Sequence, residues 1–396
     1  MVHTDPPFQP TPTPAPNPTS APTPTPRPSE IDGWRLVAPP ASSFFPVTGA
    51  HGRFVGFGTQ PYCDDDVELC PVSDAFYSDD GISWSIAASN DAFTDEQGRA
   101  IKMTAVTPYA GGFVATGSII DRATEVVEGG VWVSDDGTAW SMVNMPPIDL
   151  GVTHGICQGV GYVFGRLGLA VVGSRLLARG FRDGPRNCDP NREIFALQSG
   201  DGETWEPAAL PDLGSGGSFT GLQGGRQFVL TSAGTGRTAI WTSPDGSEWA
   251  IGSMDLPRGG YLRKIVETSD GYLAFVSRDR ATPYSQIVLA SADGLRWEQI
   301  ANEQLPPDWQ PLVDAVLVGN TIVAIGGFGH DTDPNNYQGT LYGITQTTNG
   351  MTWSTPETAA FAGYSISSLT TDGTSVLVTG QSYSDLDYVH FVKSSW

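Results

Sequence analysis

Lysine is nearly missing from this chain. Only Lys102, Lys264 and Lys393 accompany the arginines in a set of 21 basic residues, against 43 acidic ones, and the formal net charge is −22. A surface of that sign repels polyphosphate, which excludes nucleic acid as a partner, and it favours solubility. Charged residues of both signs make up only 16% of the sequence, so long solvated helices are not expected either. No apolar run exceeds the length of a strand, which excludes a membrane-crossing helix, and no helical period stands out. The five histidines, His3, His51, His154, His330 and His390, have no ligand spacing. His154 and His390 read instead as hydrogen-bonding groups of strands or loops. Nothing matches H-E-x-x-H, G-x-S-x-G or a phosphate-binding loop.

Cysteine is scarce as well. Cys63 and Cys70 bracket a turn-rich loop, PYCDDDVELCP, and Cys157 and Cys188 share a later segment. In an exported protein these would form two disulfides, 63 to 70 and 157 to 188; buried free thiols are the alternative. No C-x-x-C or neighbouring histidine supports a metal site.

Glycine and aromatic residues are abundant, with 48 Gly, 17 Phe, 12 Tyr and 11 Trp, as suits many short strands and tight turns. One string recurs six times: SDDGISW ending at Trp84, SDDGTAW at Trp140, SGDGETW at Trp205, SPDGSEW at Trp249, SADGLRW at Trp297 and TTNGMTW at Trp353. Repetition at such spacing marks a radial or stacked repeat architecture. An apolar strand ending in Gly or Ser precedes each box, at 54–58, 113–117, 169–173, 228–232, 273–277, 322–326 and 376–380. A further strand leads into the box, at 75–78, 131–134, 194–199, 239–243, 287–291, 341–347 and 388–394. Both series have seven members. The seventh copy lacks its tryptophan, and Trp34 in IDGWRLV supplies one. The expected fold is therefore all-β: a seven-bladed β-propeller of four-stranded antiparallel blades, closed by residues 33–38 joining the C-terminal blade.

The box has the chemistry of a turn between strands. Ser and Asp side chains accept hydrogen bonds from turn N–H groups, Gly supplies positive φ, and Trp opens the next strand with a large apolar face. Its residues, Asp80, Trp84, Asp136, Trp140, Asp201, Trp205, Asp245, Trp249, Asp293, Trp297, Asn349 and Trp353, together with Trp34, are read as structural. This pattern resembles the Asp-box, or BNR-repeat, propellers of the sialidase-like superfamily over residues 33–396. That family writes its box S-x-D-x-G-x-T-W, whereas here Asp and Gly are adjacent, as at Asp80-Gly81 and Asp245-Gly246. Shortened boxes of this kind are similar to those of a non-catalytic branch of exported bacterial proteins. The resemblance implies that the boxes lie at the blade periphery, away from the substrate face. A sialidase-type hydrolase would need an arginine cluster, a Tyr–Glu nucleophile pair and an Asp acid. The early Arg-Ile-Pro motif of that family is missing, so no catalytic residue is carried over.

Residues 1–30 are a different material, with 11 Pro and 6 Thr arranged largely as Thr-Pro and Ala-Pro pairs. This reads as a polyproline-II spacer, reaching about 3 Å per residue, ahead of a propeller domain over 31–396. Such tracts resemble the stalk that follows the anchor cysteine of bacterial lipoproteins. The expectation is an extracellular or cell-surface protein whose leader is absent from this chain, membrane-bound only through that removed anchor; a disordered tail is the plainer reading.

Recognition is expected in the loops between second and third strands, which fall on the face opposite the boxes. In the third blade six arginines, Arg166, Arg175, Arg179, Arg182, Arg186 and Arg192, face only Asp183 and Asp189. Arg forks suit carboxylate, sulfate or phosphate groups, although pairing with neighbouring acidic loops is the ordinary alternative. Arg179, Arg182 and Arg186, with Arg278, Arg280, Tyr284, Tyr337 and Tyr388, form the candidate ligand-binding set. Asp331, Asp333 and Asn335 have the alternate spacing of a calcium loop but lack its Gly and Glu, and a solvated Asx turn is the preferred reading; the same holds for Asp64, Asp65, Asp66 and Glu68. No cofactor is implied. The sequence thus points to a binding or scaffold module for a protein or glycan, with a glycoside hydrolase and a structural subunit of a surface assembly as alternatives.

Overall fold

The computed structural model describes residues 30–396 except 42, 60–73, 89, 94–98, 122–125, 146–147, 153–167, 183–192, 213–217, 234–236, 257–259, 279–285, 301–304, 306–308, 329–340, 385–386 and 395. Seven antiparallel sheets follow one another along the chain, each an up-and-down meander, and they form a seven-bladed propeller. The first blade runs Ser43–Ala50, Arg53–Thr59, Asp74–Ser78 and Ser85–Ile86. The second runs Ala100–Tyr109, Gly112–Ile120, Val126–Ser134 and Ser141–Met142, with Ile148–Val152 pairing the far half of its third strand. Gly168–Val172, Arg175–Arg182, Glu193–Ser199 and Glu206–Pro207 make the third, and Ser218–Gln223, Phe228–Ala233, Arg237–Ser243 and Ala250–Asp255 the fourth. The fifth comprises Gly260–Thr268, Gly271–Arg278, Gln286–Ser291 and Glu298–Gln299. In the sixth, Trp309–Val318, Thr321–Phe328 and Leu341–Thr347 are full strands, and the fourth shrinks to a bridge between Ile344 and Glu357.

The seventh blade closes the ring. Tyr364–Thr371, Val376–Ser382 and Tyr388–Lys393 are joined on the outside by Trp34–Val37, with Arg35, Leu36 and Val37 opposite Val392, Phe391 and His390. A short extra strand, Glu30–Ile31, folds back onto Trp34 and Arg35. The expected closure is therefore observed, but Trp34 is held differently from the box tryptophans. Because the outer strand arrives from the other end of the chain, no box turn leads into it. The Trp34 indole instead donates to Glu357 Oε2 at 2.9 Å, and the same carboxylate takes Lys393 Nζ at 2.9 Å. Lys393 also lies over the rings of Trp34 and Trp396, 5.6 and 5.1 Å from their centroids.

Each second strand is buried on both faces and reads as a continuous apolar run, such as Phe54 to Phe57 or Leu273 to Val276, because neighbouring blades cover it from either side. The core is accordingly a series of inter-blade layers rather than one centre. Between blades one and two, Val55, Phe57, Phe93, Met103, Phe113, Trp132 and Trp140 pack together, with Phe57 edge-on to Trp140 at 5.2 Å. Burying each large side chain contributes roughly 1.5–3 kcal/mol.

Six of the seven innermost strands carry a register shift near the same place, at Phe44/Val47, Met103/Ala105, Phe219/Gly221, Leu262/Lys264, Leu312/Asp314 and Ile366/Ser368. A bulge leaves a ladder group unpaired, and polar side chains answer it: Thr104 Oγ1 donates to the Thr116 carbonyl at 3.2 Å and Ser367 Oγ to that of Thr379 at 3.1 Å.

Candidate binding face

In a four-stranded meander the turn between third and fourth strands lies on the same side as that between first and second. The loop between second and third strands lies on the other side, with the blade-to-blade connections. The boxes occupy the first side, where their polar groups are consumed by the turn. The acidic or amide Oδ1 accepts backbone N–H groups two or three residues ahead at 2.7–3.0 Å, from Ile82 and Ser83 onto Asp80 through to Met351 and Thr352 onto Asn349. These bonds hold the carboxyls of Asp80, Asp136, Asp201, Asp245 and Asp293 below the usual range, Asp201 at about 2. The box glycine sits at φ 71° to 84° in all six copies. Its carbonyl accepts the tryptophan indole at 2.8–3.2 Å in five boxes; Trp249 reaches the Ala209 carbonyl instead.

Arginines on this side are engaged too. Arg53 bonds Asp79 at 2.6 Å and the Asp136 carbonyl of the next blade at 2.8 Å. Arg175 and Gln227 likewise reach the carbonyls of Asp245 and Asp293, each in the following blade, at 3.2 and 2.9 Å. Arg226 grips Glu267 at 2.6 Å and the Thr268 carbonyl. The sequence signal for these arms was a polar residue immediately before or at the start of the second strand, which the repeat alignment passed over.

Of the candidate ligand-binding set, expected on the side opposite the boxes, the structure describes only a part. Arg179 lies buried in the middle of its strand, opposite Gly168 and Ala196, and burial pulls its guanidinium down to about 10. Tyr388 starts the third strand of blade seven and is 37% exposed. The backbones of Arg182 and Arg278 end second strands. Their side chains, like Arg186, Arg280, Tyr284 and Tyr337, lie outside the described residues. So do all four cysteines, Asp64, Asp65, Asp66 and Glu68, and the possible calcium loop of Asp331, Asp333 and Asn335. Among the described residues no group of three or more His, Cys, Asp or Glu converges where a metal ion could sit.

Sequence reasoning missed two clusters on this side. At the seam of blades six and seven, Tyr383 donates its backbone N–H to the Gly363 carbonyl at 3.1 Å, and burial together with the neighbouring Tyr342 pushes its hydroxyl up to about 12. Nearer the axis, Lys264 pairs with Asp314 at 2.8 Å, and Asp314 also accepts the Leu369 N–H at 3.0 Å, linking the innermost strands of three successive blades. Beside them Arg263 stacks on Tyr261 at 4.3 Å.

Comparison with solved structures places this architecture among known propellers. A prolyl endopeptidase aligns with a TM-score of 0.52 at 13% identity, over 90% of this chain and 46% of that one. The Trypanosoma rangeli sialidase in complex with difluorosialic acid gives 0.42 at 14% identity, covering 90% of this chain and 59% of that one. The Aleuria aurantia lectin in complex with a methyl fucoside gives 0.40 at 12% identity, covering 78% and 91%. The likeness is one of fold. No protein-family profile and no curated protein matches the chain.

Proposed function

We propose that this is an exported or surface-tethered propeller that acts as a binding or scaffold module, recognising a protein or glycan through the face opposite the boxes. The reading rests chiefly on how the two faces divide the chemistry. On the box side, Asp Oδ1 atoms and the arginines Arg53, Arg175 and Arg226 serve turns and blade junctions. On the other side, second strands end and third strands begin, and there lie the exposed Tyr388 and the polar group of Arg263, Lys264 and Asp314 on the innermost strands. Uneven loops on a rigid repeat are where recognition concentrates. The lectin and sialidase among the similar folds bind or act on sugars, which makes glycans the first class to try. The Thr/Pro-rich residues 1–29 support a stalk, hence a position outside the cell.

A glycan array run beside hydrolysis assays on fluorogenic glycosides, and pull-down from native envelope fractions, tests the reading. Binding without turnover supports it. Cleavage at enzyme-like rates would replace it with the hydrolase reading, and stable co-purification in a fixed stoichiometry would favour an assembly subunit.

A further inference from the structure

At the bulge shared by the innermost strands, the fifth blade carries a long cation. The extra residue is Thr104 in the second blade, Val313 in the sixth and Ser367 in the seventh, all short side chains. In the fifth blade it is Arg263, an exposed cation on the innermost strand and hence at the axial channel. Its guanidinium is fixed by three contacts: the Tyr261 ring 4.3 Å away, a hydrogen bond from Nη2 to the Tyr261 hydroxyl, and one from Nε to Ser277 Oγ at 3.4 Å. Arg53, Arg99, Arg175 and Arg226 each meet a carboxylate, and Lys264 next to it is taken by Asp314. Among the described residues Arg263 meets none.

A guanidinium has five N–H donors. With Nε and one Nη2 proton engaged, both Nη1 protons and the other Nη2 proton have no partner among the described residues, and one N–H from each of these nitrogens makes the end-on fork that a carboxylate accepts. Tyr261, accepting from Arg263, keeps its own proton to donate to the same anion. The surrounding charge selects the ligand. A protein of net charge −22 repels a polyanion, whereas a single carboxylate on a neutral, hydroxylated ring retains the attraction of Arg263 without that density of charge.

We propose that Arg263, positioned by Tyr261 and Ser277, anchors the carboxylate of a small acidic saccharide of uronate type at the channel. The inference rests on the reading of this face as a glycan-binding surface. Calorimetric titration with a uronate disaccharide, its carboxyl-reduced neutral counterpart and inorganic phosphate tests it. The uronate should bind, and both carboxyl reduction and Arg263→Ala should weaken binding roughly 10- to 100-fold, the range for a hydrogen-bonded charged group. Arg263→Lys should recover part of the loss, since it restores charge without the fork. Tyr261→Phe, which keeps the stacking ring, should weaken binding less than Arg263→Ala does. Unchanged melting temperatures establish that the variants fold. Equal binding of the neutral sugar, equal binding by Arg263→Ala, displacement by phosphate at matched concentration, or no uronate binding at millimolar levels would each overturn the inference. If the array still finds a neutral glycan in any of those cases, the proposed function stands without this anchor; if it finds none, the glycan reading falls with it.

Discussion

Acidification should reveal His390. This residue is 1% exposed in the third strand of the seventh blade, between Val37 and Thr379 on adjacent strands and edge-on to Trp84 at 5.9 Å. Burial pushes its imidazole down to about 4 from an ordinary 6.5. The unfolded chain therefore takes up a proton between pH 6.5 and 4 that the folded protein refuses. Stability from this source is complete above pH 6.5, declines as pH falls, and levels off below about 4. At 1.36 kcal/mol per unit, the loss is about 2 kcal/mol at pH 5 and about 3 kcal/mol at pH 4. The box carboxylates act lower: their folded values lie below 3.8, so their contribution is present above that value and disappears as pH drops beneath it. The window from pH 6.5 to 5 thus isolates histidine. Urea titrations of the wild type and His390→Gln across it should diverge, with the wild type losing the greater part of its pH dependence on substitution. Because a ring of repeats can unfold in stages, an NMR titration of the imidazole provides the direct check. An imidazole that titrates at 6 or above, or identical pH profiles for the two proteins, would refute the argument.

Three further outcomes follow from the box and the closure. Gly137 has φ +83°, and a Cβ there would lie 2.4 Å from Val55 Cγ2, whereas at Gly173 (φ +60°) nothing lies within 4 Å. Gly137→Ala should lower stability by roughly 2–4 kcal/mol and Gly173→Ala by about 1, measured by chemical denaturation. Asn349 already replaces Asp in one box and accepts the same two N–H groups at 2.8 and 2.9 Å. Asp293→Asn should therefore change stability at pH 7 by less than about 0.5 kcal/mol, while Asp293→Ala should cost about 1–2, and thermal melts that rank them the other way would contradict the turn's role. Trp34→Ala should cost roughly 3–5 kcal/mol by emptying a buried site, and hydrogen exchange should rise first in Trp34–Val37 and Tyr388–Lys393.

The blades were legible because six of the seven carry the same punctuation: an apolar strand ending in Gly or Ser, then Ser-x-Asp-Gly or its Thr-x-Asn-Gly variant, and Trp. Closure was legible because Trp34 filled a gap in a counted series. Other features have no such sign. A bulge is written in pairing register rather than residue type, so Arg263 in the string GYLRKIVE looks like any exposed strand residue until its neighbours across the ladder are known. The forward reach of Arg53, Arg175 and Gln227 depends on which blade stands next to which, information that exists only once the ring has formed. Arg179 was chosen for its place in a basic stretch, yet strand alternation turns it inward. Composition could locate the charge but not its direction.

Ring closure also sets an order of events. Trp34–Val37 leaves the ribosome before any blade exists, and its partner Tyr388–Lys393 follows the other six blades. Until the seventh blade is made the chain therefore holds an unsatisfied strand ahead of its blades and an open edge on each newly finished blade. Both are sites where a second chain can add itself. A neighbouring molecule that donates its own Trp34–Val37 first would produce an exchanged dimer with the same hydrogen bonds. The strand made ahead of the blades is thus the one that decides whether the ring closes on itself.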